Sequence, residues 1–197
     1  VYPFTQARHA YEALAAARPD ALVIWGLYRP SALLVRAIAR AGLTLPVYGA
    51  DGMVHPEFLR IAGEAANGMV MTWPFNPCRD DRGTREFLAR FRRRFGREAD
   101  SFAAHSYDAM TLLWAAAGRC AQLDRECIKD ELLATKLHPG VTGSITLDAQ
   151  GNDTRSVSLA RVSGGRFHPI PGTQQAPRTR RESDGEVTAP AWFSCED

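Results

Sequence analysis

The stretch ALVIWGLYRPSALLVRAIARAGLTLPVYGADG, residues Ala21–Gly52, decides the fold. ALVIWG is a short continuous apolar run closed by Gly26, the pattern of a strand buried on both faces. RPSALLVRAIARAGL places Pro30 in a first helical turn and Gly42 at the stop, the Pro-in, Gly-out asymmetry of a helix. PVYG reads as a second strand, HPEFLRIAG as a short helix, Asn67-Gly68 as a turn and MVMTW as a third strand. Strand, helix and strand at this rhythm predict right-handed βαβ units and an α/β architecture with a parallel sheet covered by helices. Ligands of such sheets gather at the carboxyl ends of the strands, where the loops converge. Two residues fall on those loops. Tyr28 follows ALVIWG, and Asp51 follows PVYG, a lone carboxylate on a turn otherwise built from small residues.

Outward from this core, TQARHAYEALAAARPD (Thr5–Asp20) has helical spacing and ends at Pro19. From Thr84 the character changes. TREFLARFRRRFG is an amphipathic helix with Phe87, Leu88, Phe91 and Phe95 on one side and arginines on the other. SFAAHSYDAMTLLWAAAGRC is a longer, largely apolar helix expected to be buried. DRECIKDELLATK is a third, capped by Asp124. VTGSITLDAQGND gives a strand and a turn at Gln150-Gly151, TRSVSLARV a further strand of alternating polarity, and Gly164-Gly165 another turn. After Ile170 the composition falls into Pro, Thr, Arg, Glu and Gly. Residues 171–197 are expected to be a largely disordered tail, pinned where Trp192, Phe193 or Cys195 holds it.

The chain has 197 residues, 45% hydrophobic and 23% charged, with a formal net charge of +2. That charge is too small to argue for nucleic acid or a membrane surface. The Arg92-Arg93-Arg94 run, opposite a phenylalanine stripe, reads as a solvated helix face. No apolar run is long enough to span a bilayer. No signal peptide is expected either: Val1 opens on a polar segment, and the chain is expected to be processed or truncated. The motifs of the common hydrolases, nucleotide-binding loops and zinc proteases are absent. His9, His55, His105, His138 and His168 are scattered singly, without metal-ligand spacing. Asp108 beside Tyr107 lies mid-helix with no partner in sequence. No enzyme and no cofactor are expected. Cys120 and Cys127, with six residues between them across a helix break, are candidates for a disulfide. Cys78 and Cys195 are left to pair, stay free or be unrelated.

The order DALVIWGLYRP, AGLTLPVYGADG, FLRIAGEAANGMVMT, FLARFRRRFG, FAAHSYDAM and VTGSITLDAQGN resembles the C-terminal half of type I periplasmic ligand-binding proteins of ABC transporters. The likeness is to the leucine/isoleucine/valine-binding branch and runs over residues 1–170. It implies a parallel-sheet Rossmann-like lobe, Tyr2–Pro74, and a helical block, Thr84–Lys136, belonging to the other lobe. Val141–Ile170 would cross back. It further implies the substrate-binding component of an ABC importer, taking an amino acid, an amide or a similar small solute in an interlobe cleft. The partners would be ABC permease subunits, with no nucleic acid and no membrane insertion, and the location periplasmic or extracellular. The alternative is an extracellular ligand-sensing domain of a signalling receptor with the same fold.

Carried over residue by residue, the resemblance gives Asp51 the ligand's ammonium group, lets Tyr28 close over the ligand, and makes Phe102, five residues before Tyr107, a wall of the side-chain pocket. Leucine-type receptors usually carry glutamate at the acid position. Aspartate is shorter by one carbon–carbon bond, about 1.5 Å, so the contact shifts, passes through a water or serves another ligand. Each residue also has a structural reading: Asp51 as the cap of the helix near Pro56 or a brace of its own turn, Tyr28 as a loop aromatic, Phe102 as core.

Overall fold

The computed structural model describes residues 12–14, 16–172 and 191–195. The first half of the expected helix Thr5–Asp20 lies outside the described residues, while 12–14, 16 and 17 are helical. Most of the expected tail, 171–197, also lies outside them.

The chain divides into two compact units, one running to Trp73 and resuming at Val157, the other spanning Pro74–Ser156. The first begins β1 (Leu22–Ile24), α1 (Tyr28–Arg40), β2 (Val47–Gly49), α2 (Pro56–Ala62) and β3 (Val70–Trp73). The second supplies α3 (Arg82–Phe95), α4 (Ser101–Ala117), α5 (Arg125–Leu133), β4 (His138–Gly140) and β5 (Gly143–Ile145). The first unit then adds β6 (Ser158–Ser163) and β7 (Arg166–Pro169).

The sheet of the first unit has the order β1-β2-β3-β6-β7. β1, β2 and β3 are parallel, and β6 and β7 extend the sheet antiparallel. Helices link the parallel strands, as parallel pairing demands, whereas β6 and β7 need only the two-residue turn Gly164-Gly165, both at positive φ. Ile24, Gly49 and Met71 are register partners across the parallel strands and are buried. Glycine suits position 49, because a Cβ there would lie 2.9 Å from Sδ of the buried Met53 and 3.3 Å from Cβ of Met71, and those side chains would have to shift. The neighbouring row departs from the expected strand buried on both faces. Val23 and its partner Tyr48 are 65% and 45% exposed. An apolar run tells that a strand can be covered twice, and here no described element covers that side.

In the second unit each helix starts on an aspartate. Asp81, Asp100 and Asp124 accept from the backbone N–H of Thr84, Ala103 and Cys127, at 2.9, 2.8 and 2.8 Å. Phe75, Phe87, Leu88, Ala99, Ala104 and Val141 form the core. The expected burial of α4 is not observed. Its buried positions are Ser101, Ala104, Asp108 and Ala116, while Trp114 is 81% exposed and Met110 is also exposed. The inward face is thus the small and polar one. Asp108 explains the choice. Buried there, it accepts from the N–H of Val141 at 2.7 Å and of Thr142 at 2.8 Å, and from the Thr142 hydroxyl at 2.6 Å. Asp108 therefore has partners after all, supplied 33 and 34 residues downstream. This bond set keeps the β4–β5 hairpin with the helices. The return to the first unit consequently comes at Val157, later than the expected crossing at Val141.

Candidate functional site

The carboxyl ends of β1 and β2 carry two loops in close backbone contact. Ala50 N–H donates to the Ile24 carbonyl at 3.1 Å, continuing the ladder one residue past β2 and delivering Asp51 at the end of the strand. Asp51–Met53 then forms a single 3-10 turn. A Cβ on Gly52 would stand 2.9 Å from the Gly26 carbonyl oxygen, so only glycine lets the two loops approach this closely. The Asp51 residue is exposed, and its Oδ1 accepts from the N–H of Gly52 at 2.9 Å.

Asp51 does not cap α2. That role falls to His55, whose Nδ1 accepts from the N–H of Glu57 at 3.0 Å. Pro56 marked the position: a proline at the first helical residue puts the cap one residue before it. An imidazole that accepts at Nδ1 carries its proton on Nε2 and is neutral. The His55 ring also stacks on Tyr28, the first residue of α1, with centroids 4.0 Å apart and planes 13° apart. Beside the stack, Arg29 Nη2 bonds Glu57 Oε1 at 2.9 Å and Oε2 at 3.0 Å, and Arg60 bonds Oε1 at 2.9 Å. The hydrogen bond from Arg60, then Arg29, holds the Glu57 carboxyl below the usual carboxylate range. The start of α1 is thus tied to the start of α2 by a ring stack and an ion pair.

The structure therefore sets Tyr28 at the first residue of α1 and Asp51 at the first residue of the 3-10 turn after β2, both at the carboxyl ends of the parallel strands. Phe102 belongs to the second unit, on the first turn of α4, and is 45% exposed. His55, Arg29, Glu57 and Gly52 were not singled out from the sequence. In the second unit Cys120 and Cys127 are joined by a disulfide, and no described cysteine is free. Among the described residues no group of three or more His, Cys, Asp or Glu is placed to hold a metal, and no helix is long and apolar enough to cross a membrane.

The strand–helix alternation and the helical second unit are matched in known proteins. The periplasmic binding protein family model matches residues 4–166. The chain belongs to that family. This periplasmic binding protein chain is 31% identical over 132 residues to Leu/Ile/Val-binding protein homolog 1 of Brucella abortus, covering 66% of the chain and 35% of that protein. The leucine-binding protein LivK of Thermotoga maritima superposes with a TM-score of 0.74 at 29% identity, covering 83% of this chain and 47% of that one. The branched-chain amino acid transporter substrate-binding protein LivJ of Streptococcus pneumoniae, in complex with isoleucine, gives 0.70 at 27%, covering 85% and 48%. The chain thus spans about a third of that curated relative and about half of these solved structures. The likeness within the family is to its leucine/isoleucine/valine-binding members.

Proposed function

We propose that the chain contributes the solute-binding surface of the substrate-binding component of an ABC importer. Its solute is an amino acid or a related small polar molecule. Asp51 accepts the solute's ammonium group, and Tyr28 lies over it. The protein binds and releases without chemistry, hands its solute to ABC permease subunits, and works in the periplasm or outside the cell. The Cys120–Cys127 bridge supports that location, since disulfides persist in oxidising compartments.

The observation that carries the reading is the release of Asp51 from helix capping. With His55 at the cap, Asp51 braces its own turn through Oδ1 and keeps further acceptor capacity at an exposed sheet edge, on a turn that touches the loop leading to Tyr28. Charge-assisted bonds to an ammonium contribute roughly 1.5–3 kcal/mol each. The proposed ligand follows from the named ligands of LivK and LivJ together with this chemistry. The test compares L-leucine with 4-methylpentanoate, its analogue lacking the amine, by ligand-detected NMR. L-Leucine should bind and the analogue should not, and Asp51→Ala should abolish the distinction. Equal binding of both molecules would remove Asp51 from the site.

A further inference from the structure

His55 occupies a position that a simple cap does not need. Serine, threonine, asparagine or aspartate would satisfy the Glu57 N–H equally well. An imidazole does so while presenting a flat face, and that face lies 4.0 Å from Tyr28 at 13°. One ring nitrogen is thus fixed by the backbone of α2, and the ring plane by the first residue of α1. We propose that His55 is the positioning residue of the solute site: it fixes the orientation of Tyr28, and it does so only as the neutral imidazole.

The dependence on charge follows from the geometry. A second proton would go on Nδ1, the atom that now accepts from Glu57 N–H, so protonation breaks the cap. It would also place a cation at the amino end of α2, where the helix dipole opposes it. The titratable and charged groups on the elements that meet here are Tyr28 and Arg29 at the start of α1, with Arg36 and Arg40 two and three turns further along it, Asp51 in the 3-10 turn, and Glu57 and Arg60 on α2. Arg29 and Arg60 are committed to Glu57. Acidification therefore releases the His55 ring, and Tyr28 loses the surface it rests on. The inference rests on the reading of Tyr28 as a ligand contact, and goes beyond it in assigning what holds Tyr28 and under which condition.

Two substitutions separate the roles of cap and platform. His55→Asn keeps an acceptor for Glu57 N–H and removes the ring, whereas His55→Phe keeps a ring and removes the acceptor. The full chain is followed by NMR, using the Tyr28 ring resonances without ligand and L-leucine as the probe, from pH 8 to pH 5. In wild type the Tyr28 ring signals should carry the upfield displacement of a stacked ring, and lose it towards pH 5 as L-leucine binding weakens. His55→Asn, which keeps the cap and loses only the stack, should melt slightly earlier than wild type, yet lack the displacement at every pH and bind L-leucine roughly three- to ten-fold more weakly, the range of a lost aromatic pair. His55→Phe should melt earlier, but keep the displacement down to pH 5. If His55→Asn instead leaves the Tyr28 signals and L-leucine affinity unchanged, His55 is only a cap and the proposal falls. Tyr28→Ala distinguishes the underlying reading. L-Leucine binding unaltered by that change would remove Tyr28 from the site, and the assignment of His55 with it.

Discussion

Asp108 and Asp51 each stand against a glycine-bearing loop, Gly140–Gly143 for one and Gly49–Gly52 for the other, and their circumstances are opposite. Asp108 is 3% exposed and accepts three hydrogen bonds from Val141 and Thr142. Asp51 is exposed and accepts from its own neighbour, Gly52. A buried carboxylate must be satisfied by the protein itself, because water cannot reach it. An exposed one keeps its remaining lone pairs for whatever arrives. The same side chain thus closes a hairpin in one unit and stands available in the other. Glycine serves both, by letting backbone approach the acid in the first case and letting two loops touch beside it in the second.

The comparison can be broken most forcefully at Asp108. Asp108→Ala leaves two backbone N–H groups and a hydroxyl without their acceptor, and should cost about 3 kcal/mol or more in denaturant unfolding. A loss below about 1 kcal/mol, the size of one ordinary hydrogen bond, would mean that water replaces the carboxylate and the hairpin is not held there. Gly140→Ala comes next. Its Cβ would lie 2.6 Å from Asp108 Oδ2 and 2.8 Å from the Gly143 carbonyl oxygen. About 1–3 kcal/mol should be lost to the forced shift, and an unchanged unfolding midpoint would show the clip to be loose.

At the other site the expected effects on stability are smaller. The Glu57 carboxyl is held below its ordinary value by Arg60 and Arg29. Its folded pKa is depressed, so its contribution is present above the unfolded pKa and lost as pH falls through the folded one. Wild-type melting temperature should therefore fall on acidification through the carboxylate range more steeply than that of Glu57→Gln. Parallel pH profiles would show that the ion pairs joining α1 and α2 add nothing. Smallest is Asp51→Ala, expected to change stability by less than about 1 kcal/mol. A larger loss in thermal unfolding would turn Asp51 into a structural residue like Asp108 and erase the contrast.

Much of the first unit was legible because its contacts are local in kind. Pro30 and Gly42 bound α1 to within two residues of its observed ends. The alternation of apolar runs with helical spacing marked the three parallel strands. What was hidden depends on distant partners. Nothing near Asp108 announces that Val141 and Thr142 will need an acceptor, so neither the buried acid nor the outward turn of Trp114 could be foreseen. Val23 and Tyr48 look like core, since hydrophobicity records what a face tolerates and not what lies over it. At the candidate site Asp51 and Tyr28 could be named from their place after strands. The stack on His55 needed coordinates, although Pro56 already implied the cap.

The central claim is that solute meets this chain at the carboxyl edge of its parallel strands. The sheet offers a rival at its opposite edge, an open groove of about 390 Å³ lined by Val35, Ile38, Leu43, Pro46, Asn67 and Met69 among others. A titration of the uniformly ¹⁵N-labelled chain with L-leucine into the millimolar range, about −4 kcal/mol at 1 mM affinity, chooses between them. Amide shifts should concentrate at Gly26–Arg29 and Asp51–Glu57 and vanish in Asp51→Ala. Shifts gathered instead at Leu43–Val47 and Asn67–Met69, or persisting undiminished in Asp51→Ala, would contradict the account.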